Sequence, residues 1–132
     1  MLKKTITYTD FDGNQRTEDH YFNLTETELV FWQMETPGGL KAKLEQIMVA
    51  GDTPKLMMEF KDIIKRTYGR KSADGRKFEK SDEITQDFMS SLAYNEFIME
   101  MVTSDTAASD FINAVVPDIE KRVEQTKQSA AV

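Results

Sequence analysis

The chain has no cysteine, which removes disulfides, zinc–thiolate centres and thiol catalysis together and suits a reducing compartment. It has one histidine, His20. A lone histidine cannot build a metal site without carboxylate help, and its neighbour Asp19 points to the opposite face of a strand, so no His–Asp dyad arises. No apolar run approaches the length of a membrane span. The start, Met1-Leu2-Lys3-Lys4, carries the charge of a secretion signal, but Thr5-Ile6-Thr7-Tyr8-Thr9-Asp10 supplies no apolar h-region. Gly38-Gly39 is followed by no Lys-Ser/Thr and preceded by no strand, which excludes a phosphate loop. Asp10, Asp12 and Asn14 have the spacing that opens a calcium loop, yet glycine comes too early, at Gly13, and the twelfth position is Tyr21. The expectation is a soluble, intracellular protein with no catalytic centre, metal or cofactor, and no membrane contact.

What the chain has is an uneven distribution of charge. Residues 82–118 hold eight acids and no Lys or Arg, whereas residues 65–80 hold seven bases against Asp74 and Glu79. A net charge of −6 with a single basic segment argues against nucleic acid as partner. The uneven distribution is either a solvated loop beside a solvated helical face or a means of attracting a charged protein surface or further copies of the chain, a homo-oligomer, and the absence of chemistry elsewhere favours the second. The bases Arg70, Lys71, Arg76 and Lys77 are the candidates for that contact.

At 132 residues the chain is expected to form one domain over residues 1–117, with a polar tail or fraying helix over 118–132. Ile6 and Tyr8 alternate with threonines, Asp12-Gly13 or Gly13-Asn14 supplies a tight turn, and a return strand ends at Phe22. Residues 3–22 therefore read as a β-hairpin. Thr25-Glu26-Thr27-Glu28 is a capping box, and helices follow from residue 25. One stripe is Leu40, Leu44, Ile47 and Met48, with Asp52 as N-cap of the next helix. That helix is expected to run to Tyr68, carrying Leu56, Phe60, Ile63, Ile64 and Thr67, with Gly69 ending it. Residues 70–80 read as a loop pinned by Phe78. Ser81 caps a further helical stretch with a break near Ser90-Ser91, and Ser104 or Asp105 caps a last helix that Pro117 ends. The fold class is α+β, mainly α: an N-terminal hairpin followed by a compact bundle of five or six helices and no second sheet. Leu44, Ile47, Phe60, Ile63, Ile64, Phe88, Phe97, Ile98, Phe111 and Ile112 are the expected core.

Leu29, Val30, Phe31 and Trp32 are consecutive on the first helix, and Met34 follows. An apolar surface that wide is either wholly buried or leaves one face for a partner. Burial is the commoner fate of a tryptophan, but Phe31, Trp32 and Met34 are retained as candidate interaction residues.

Several segments resemble the tail assembly chaperones of long-tailed, siphovirus-type bacteriophages. They are Ile6-Thr7-Tyr8-Thr9-Asp10-Phe11-Asp12-Gly13-Asn14, Tyr21-Phe22-Asn23-Leu24-Thr25, Gly38-Gly39-Leu40, Phe60-Lys61-Asp62-Ile63-Ile64 with Tyr68-Gly69, and Lys71-Ser72-Ala73-Asp74-Gly75-Arg76-Lys77-Phe78. Tyr94, Phe97, Met99-Glu100, Ala107-Ala108, Phe111-Ile112-Asn113 and Val116-Pro117 complete the pattern, which spans about residues 5–117. The resemblance implies a non-enzymatic chaperone in the host bacterial cytoplasm, absent from the mature virion. Its implied partners are the tape measure protein, the tail tube protein and further copies of itself. The alternative is a small structural protein of the tail or head–tail junction, retained in the particle.

Overall fold

The computed structural model describes residues 1–51, 53–104 and 106–116, apart from the side chains at 41, 48, 50 and 53. Met48 in the second helix's stripe, the caps assigned to Asp52 and Asp105, Pro117 and the tail 118–132 lie outside the described residues.

Strands β1 (Leu2–Thr9) and β2 (Gln15–Phe22) form the expected hairpin, in register from Leu2 opposite Phe22 to Thr9 opposite Gln15. Asp10 builds the turn. One carboxylate oxygen accepts from the Asp12 and Asn14 amides at 3.0 and 2.9 Å, and the other takes the Arg16 Nε–H at 2.6 Å. Gly13 supplies the left-handed residue, at φ 84°.

Six helices follow among the described residues: α1 (Glu26–Glu35), α2 (Leu40–Ala50), α3 (Thr53–Thr67), α4 (Asp82–Met89), α5 (Leu92–Thr103) and α6 (Ala107–Val115). Their ends are set by the signals in the sequence. Thr25 Oγ1 accepts from the Glu28 amide while Glu28 Oε1 accepts from the Thr25 amide, both at 3.1 Å. Such a box stabilises a helix by about 1 kcal/mol. Ser81 Oγ accepts from the Ile84 amide, Ser90 and Ser91 separate α4 from α5, and Ser104 Oγ takes the Ala107 amide at the start of α6.

Residues 68–79 depart from expectation. α3 stops at Thr67 rather than Tyr68, and the segment read as a loop is a second, shorter hairpin, β3 (Tyr68–Lys71) and β4 (Phe78–Glu79). It adds to the first hairpin, giving one antiparallel sheet in the order β1-β2-β3-β4. Tyr21 faces Gly69, Phe22 faces Tyr68, and Arg70 and Lys71 face Glu79 and Phe78. The four strands remove the instability of a lone two-stranded hairpin in water.

The core forms where α5 packs on β1 and α4 on β3. Its centre is aromatic: Phe22, Phe60, Phe88 and Phe97 are shut off from solvent, and Phe111 nearly so. Phe22 stacks on Phe97 at 5.1 Å between ring centres and meets Phe111 edge-on at 5.1 Å. Burying each such side chain is worth about 1.5–3 kcal/mol. Of the expected core, Leu44, Phe60, Ile63, Ile64, Phe88, Phe97, Phe111 and Ile112 are buried, and Ile98 is partly buried against them. Ile47 is the exception. It is half-buried and lines an open groove between α2 and α3 with Pro54 and Met58. Thr67 donates to the Ile63 carbonyl at 2.7 Å and Thr36 to the Trp32 carbonyl at 2.9 Å. Among the described residues no buried side-chain polar atom lacks a partner.

Candidate protein-interaction surfaces

Helix α1 resolves the apolar run into two faces. Leu29 and Trp32 turn inward and are buried. Trp32 thus belongs to the core in this fold, and Arg66 covers its ring from outside, 4.6 Å from the centre. Val30, Phe31 and Met34, at i, i+1 and i+4, share the outward face. Phe31 is 60% and Met34 78% exposed, and Val30 is exposed beside them. A helix locked by a capping box and by two buried side chains therefore presents an apolar strip to solvent. Val30 belongs to this strip. The sequence shows that it is apolar, but not which way the helix is turned.

The basic segment is more divided than its charge suggests. Arg70 is spent within the chain, its Nη2 donating to Asp87 of α4 at 2.6 Å. Lys80 Nζ donates to Glu28 Oε2 and to the Arg66 carbonyl, each at 2.7 Å, and so ties β4 to both α1 and α3. Burial pushes the Glu28 carboxyl up, but the Lys80 and Thr25 hydrogen bonds outweigh it and hold it below the usual carboxylate range. Lys71, Arg76 and Lys77 are exposed and make no ion pair among the described residues. They stand on the short hairpin, whose turn is fixed by Asp74 accepting from Ser72 Oγ at 2.7 Å and from the Arg76 amide at 3.0 Å. Part of the charge contrast between residues 65–80 and 82–118 is therefore closed within the monomer. The remainder is a cationic hairpin tip.

His20 joins the two hairpins. Its Nδ1 lies 2.8 Å from Tyr68 Oη and its Nε2 3.2 Å from Glu18 Oε1, which also accepts from Tyr8 Oη at 2.8 Å. The Glu18 carboxylate can only accept, so in the neutral ring Nε2–H donates to it and Nδ1 accepts from the Tyr68 hydroxyl, whose pKa burial pushes up to about 12. That arrangement fits the neutral ring. Burial against Phe88, 4.7 Å away between ring centres, lowers the His20 pKa, outweighing Glu18 and Asp19, which raise it; Arg70 lowers it further. Lys4, opposite on β1, is paired with Glu100 Oε1 at 3.2 Å.

The sign of the pH effect follows. Unfolded, His20 protonates near about pH 6.5, while the folded ring resists protonation to a lower pH. Its contribution to stability is present above the unfolded value and is lost as pH falls through the folded one. Chemical denaturation should therefore show lower stability at pH 5.5 than at 7.5, with the difference reduced in His20→Asn. An equal loss in that variant would assign the effect to other groups.

Among the described residues, no cluster of three or more His, Asp or Glu side chains could hold a metal ion, and no helix is long and apolar enough to cross a membrane. The structure places Phe31 and Met34 together on α1, and Arg70, Lys71, Arg76 and Lys77 on the short hairpin. One exposed aromatic escaped the sequence reading: Phe11, 80% exposed at the tip of the long hairpin. The two flanking aspartates were the available signal for a solvent-facing turn.

No curated protein and no solved structure matches the chain. The sequence does match the family described as phage tail assembly chaperone over residues 1–132, including the polar stretch after Pro117 that the motifs left aside, and the chain therefore belongs to that family.

Proposed function

We propose that the protein is a non-enzymatic chaperone that binds the tape measure protein, keeps it soluble, and helps tail tube subunits polymerise around it. The observation that carries this reading is the exposed Val30, Phe31 and Met34 face of α1 on an otherwise well-packed domain. A tape measure protein is a long helical chain with an apolar stripe, and a helix face of this width suits such a stripe. Methionine adapts to an irregular partner. Many copies in a row supply avidity, while each contact stays weak enough for tube subunits to displace it. The exposed Lys71, Arg76 and Lys77 contribute charge to contacts with acidic surfaces, including neighbouring copies. The protein acts in the host cytoplasm and leaves before the virion is complete.

The test is co-expression with the tape measure protein. Wild type should hold the tape measure in the soluble fraction. Phe31→Ser with Met34→Ser should shift it to the pellet, with helical content by circular dichroism unchanged. Losing two such anchors weakens binding by at least about tenfold at a few kcal/mol in total. A double variant that solubilises the tape measure as well as wild type does would remove α1 from the contact. Stoichiometric protein in purified virions, read by mass spectrometry, would instead make it a structural component.

A further inference from the structure

Among the described residues, the outer edge of β2 is open along most of its length. β3 pairs with it only at Tyr21 and Phe22. The Asn23 amide donates to the Thr67 carbonyl, and the Asp10 amide on the other side donates to Asn14. In an antiparallel ladder hydrogen-bonded pairs alternate. The even residues of β2 therefore direct their backbone groups at β1, and the odd ones outward. Tyr21 meets Gly69, but Gln15, Thr17 and Asp19 have exposed side chains and no strand partner on that edge among the described residues.

We propose that this edge pairs with the same edge of a second copy, antiparallel and centred on Thr17. This specifies one self-contact of the chaperone proposed above and uses none of the α1 face. A two-fold axis through the sheet sets each residue opposite one of the same parity, so only a few registers exist. With Thr17 opposite Thr17, Gln15 faces Asp19 in both directions, and every outward backbone group of these three residues finds a partner. The close, non-hydrogen-bonded positions then set Arg16 of each copy opposite Glu18 of the other. Arg16 commits its Nε to Asp10, and Glu18 commits its Oε1 to Tyr8 and His20, so the Nη groups of one and the Oε2 of the other are left to pair across the contact. A slip one way sets Arg16 against Arg16. A slip the other way sets Glu18 against Glu18 and also needs Tyr21, which β3 already occupies. Charge thus selects one register. In it, each copy's turn comes to the cleft where β3 parts from β2, whose lining sets Lys71 and the Asp87-paired Arg70 beside Glu18, Asp19 and Asp87.

The contact is tested by sedimentation velocity on the whole chain, without the tape measure. Wild type should show a monomer–dimer equilibrium. Arg16→Glu alone sets acids against acids, and Glu18→Arg alone sets bases against bases, so each variant should stay monomeric where wild type is half dimer. Mixed in equal amounts, the two should recover a dimer, because every close pair is then opposite in charge. Thr17→Pro removes the central outward amide, which the monomer's own ladder does not use, and should weaken the dimer at least about tenfold. A monomeric wild type, a dimer indifferent to all three variants, or a mixture that fails to reassociate would each overturn the proposal. All three outcomes leave the α1 reading untouched.

Discussion

Phe22→Ala should cost about 3–5 kcal/mol of folding stability, the range for removing a fully buried phenylalanine. Single domains have only about 5–15 kcal/mol in all, so this one change takes the protein close to its unfolding threshold. Phe22 has no exposed surface and sits where every layer meets. From the end of β2 it touches Phe97 of α5, Phe111 of α6, Tyr68 of β3 at 5.4 Å and Phe88 of α4 at 6.0 Å. Those rings come from four elements, so no single one can move in to fill the space, and a cavity that stays open costs most. Denaturant titration of the variant against wild type measures the loss. Phe31→Ala, on the exposed face of α1, is the control and should change stability by no more than about 0.5 kcal/mol. A loss below about 1 kcal/mol for Phe22→Ala would show that the sheet and helices are held together elsewhere.

The sequence makes Phe22 look minor, because it ends a strand whose other residues are mostly charged or polar. Its importance comes from tertiary position, which no local pattern encodes. The long hairpin, the helices and their caps were legible because their signals are local: alternation, a tight-turn glycine, a capping box, serines at helix starts. The second hairpin was not. β3 and β4 together hold Tyr, Gly, Arg, Lys, Phe and Glu, with no alternation to read, and they exist because β2 offers an edge at Tyr21 and Phe22. The charge split was visible, but Arg70 and Asp87, seventeen positions apart, meet only because β3 lies beside α4. The apolar run on α1 was equally visible. Which of its residues face outward depends on how Leu29 and Trp32 dock.

Gly69→Ala should destabilise the protein by about 1–3 kcal/mol, and Gly69→Val by the upper end of that range or more, the usual cost of overfilling a packed site. In the sequence this glycine looks like a helix terminator. In the structure α3 has already ended, and the backbone at Gly69 does not take the left-handed conformation that such a role uses. Space is the constraint. A Cβ here would lie 2.6 Å from the Glu79 carbonyl oxygen and would also meet the Phe78 ring at Cε1. The ring can swing away, but the carbonyl belongs to β4, and moving β4 also moves Lys80, which ties Glu28 of α1 to the end of α3. A single methyl group therefore loosens the short hairpin and the anchoring of α1 together. The double variant Gly69→Ala with Phe78→Ala separates the two obstacles. If the backbone contact dominates, removing the ring recovers little stability; if the ring alone is in the way, the double variant is more stable than Gly69→Ala. Stability equal to wild type in Gly69→Ala would mean that β4 yields freely, and that the cationic tip at Lys71, Arg76 and Lys77 is not held against the sheet.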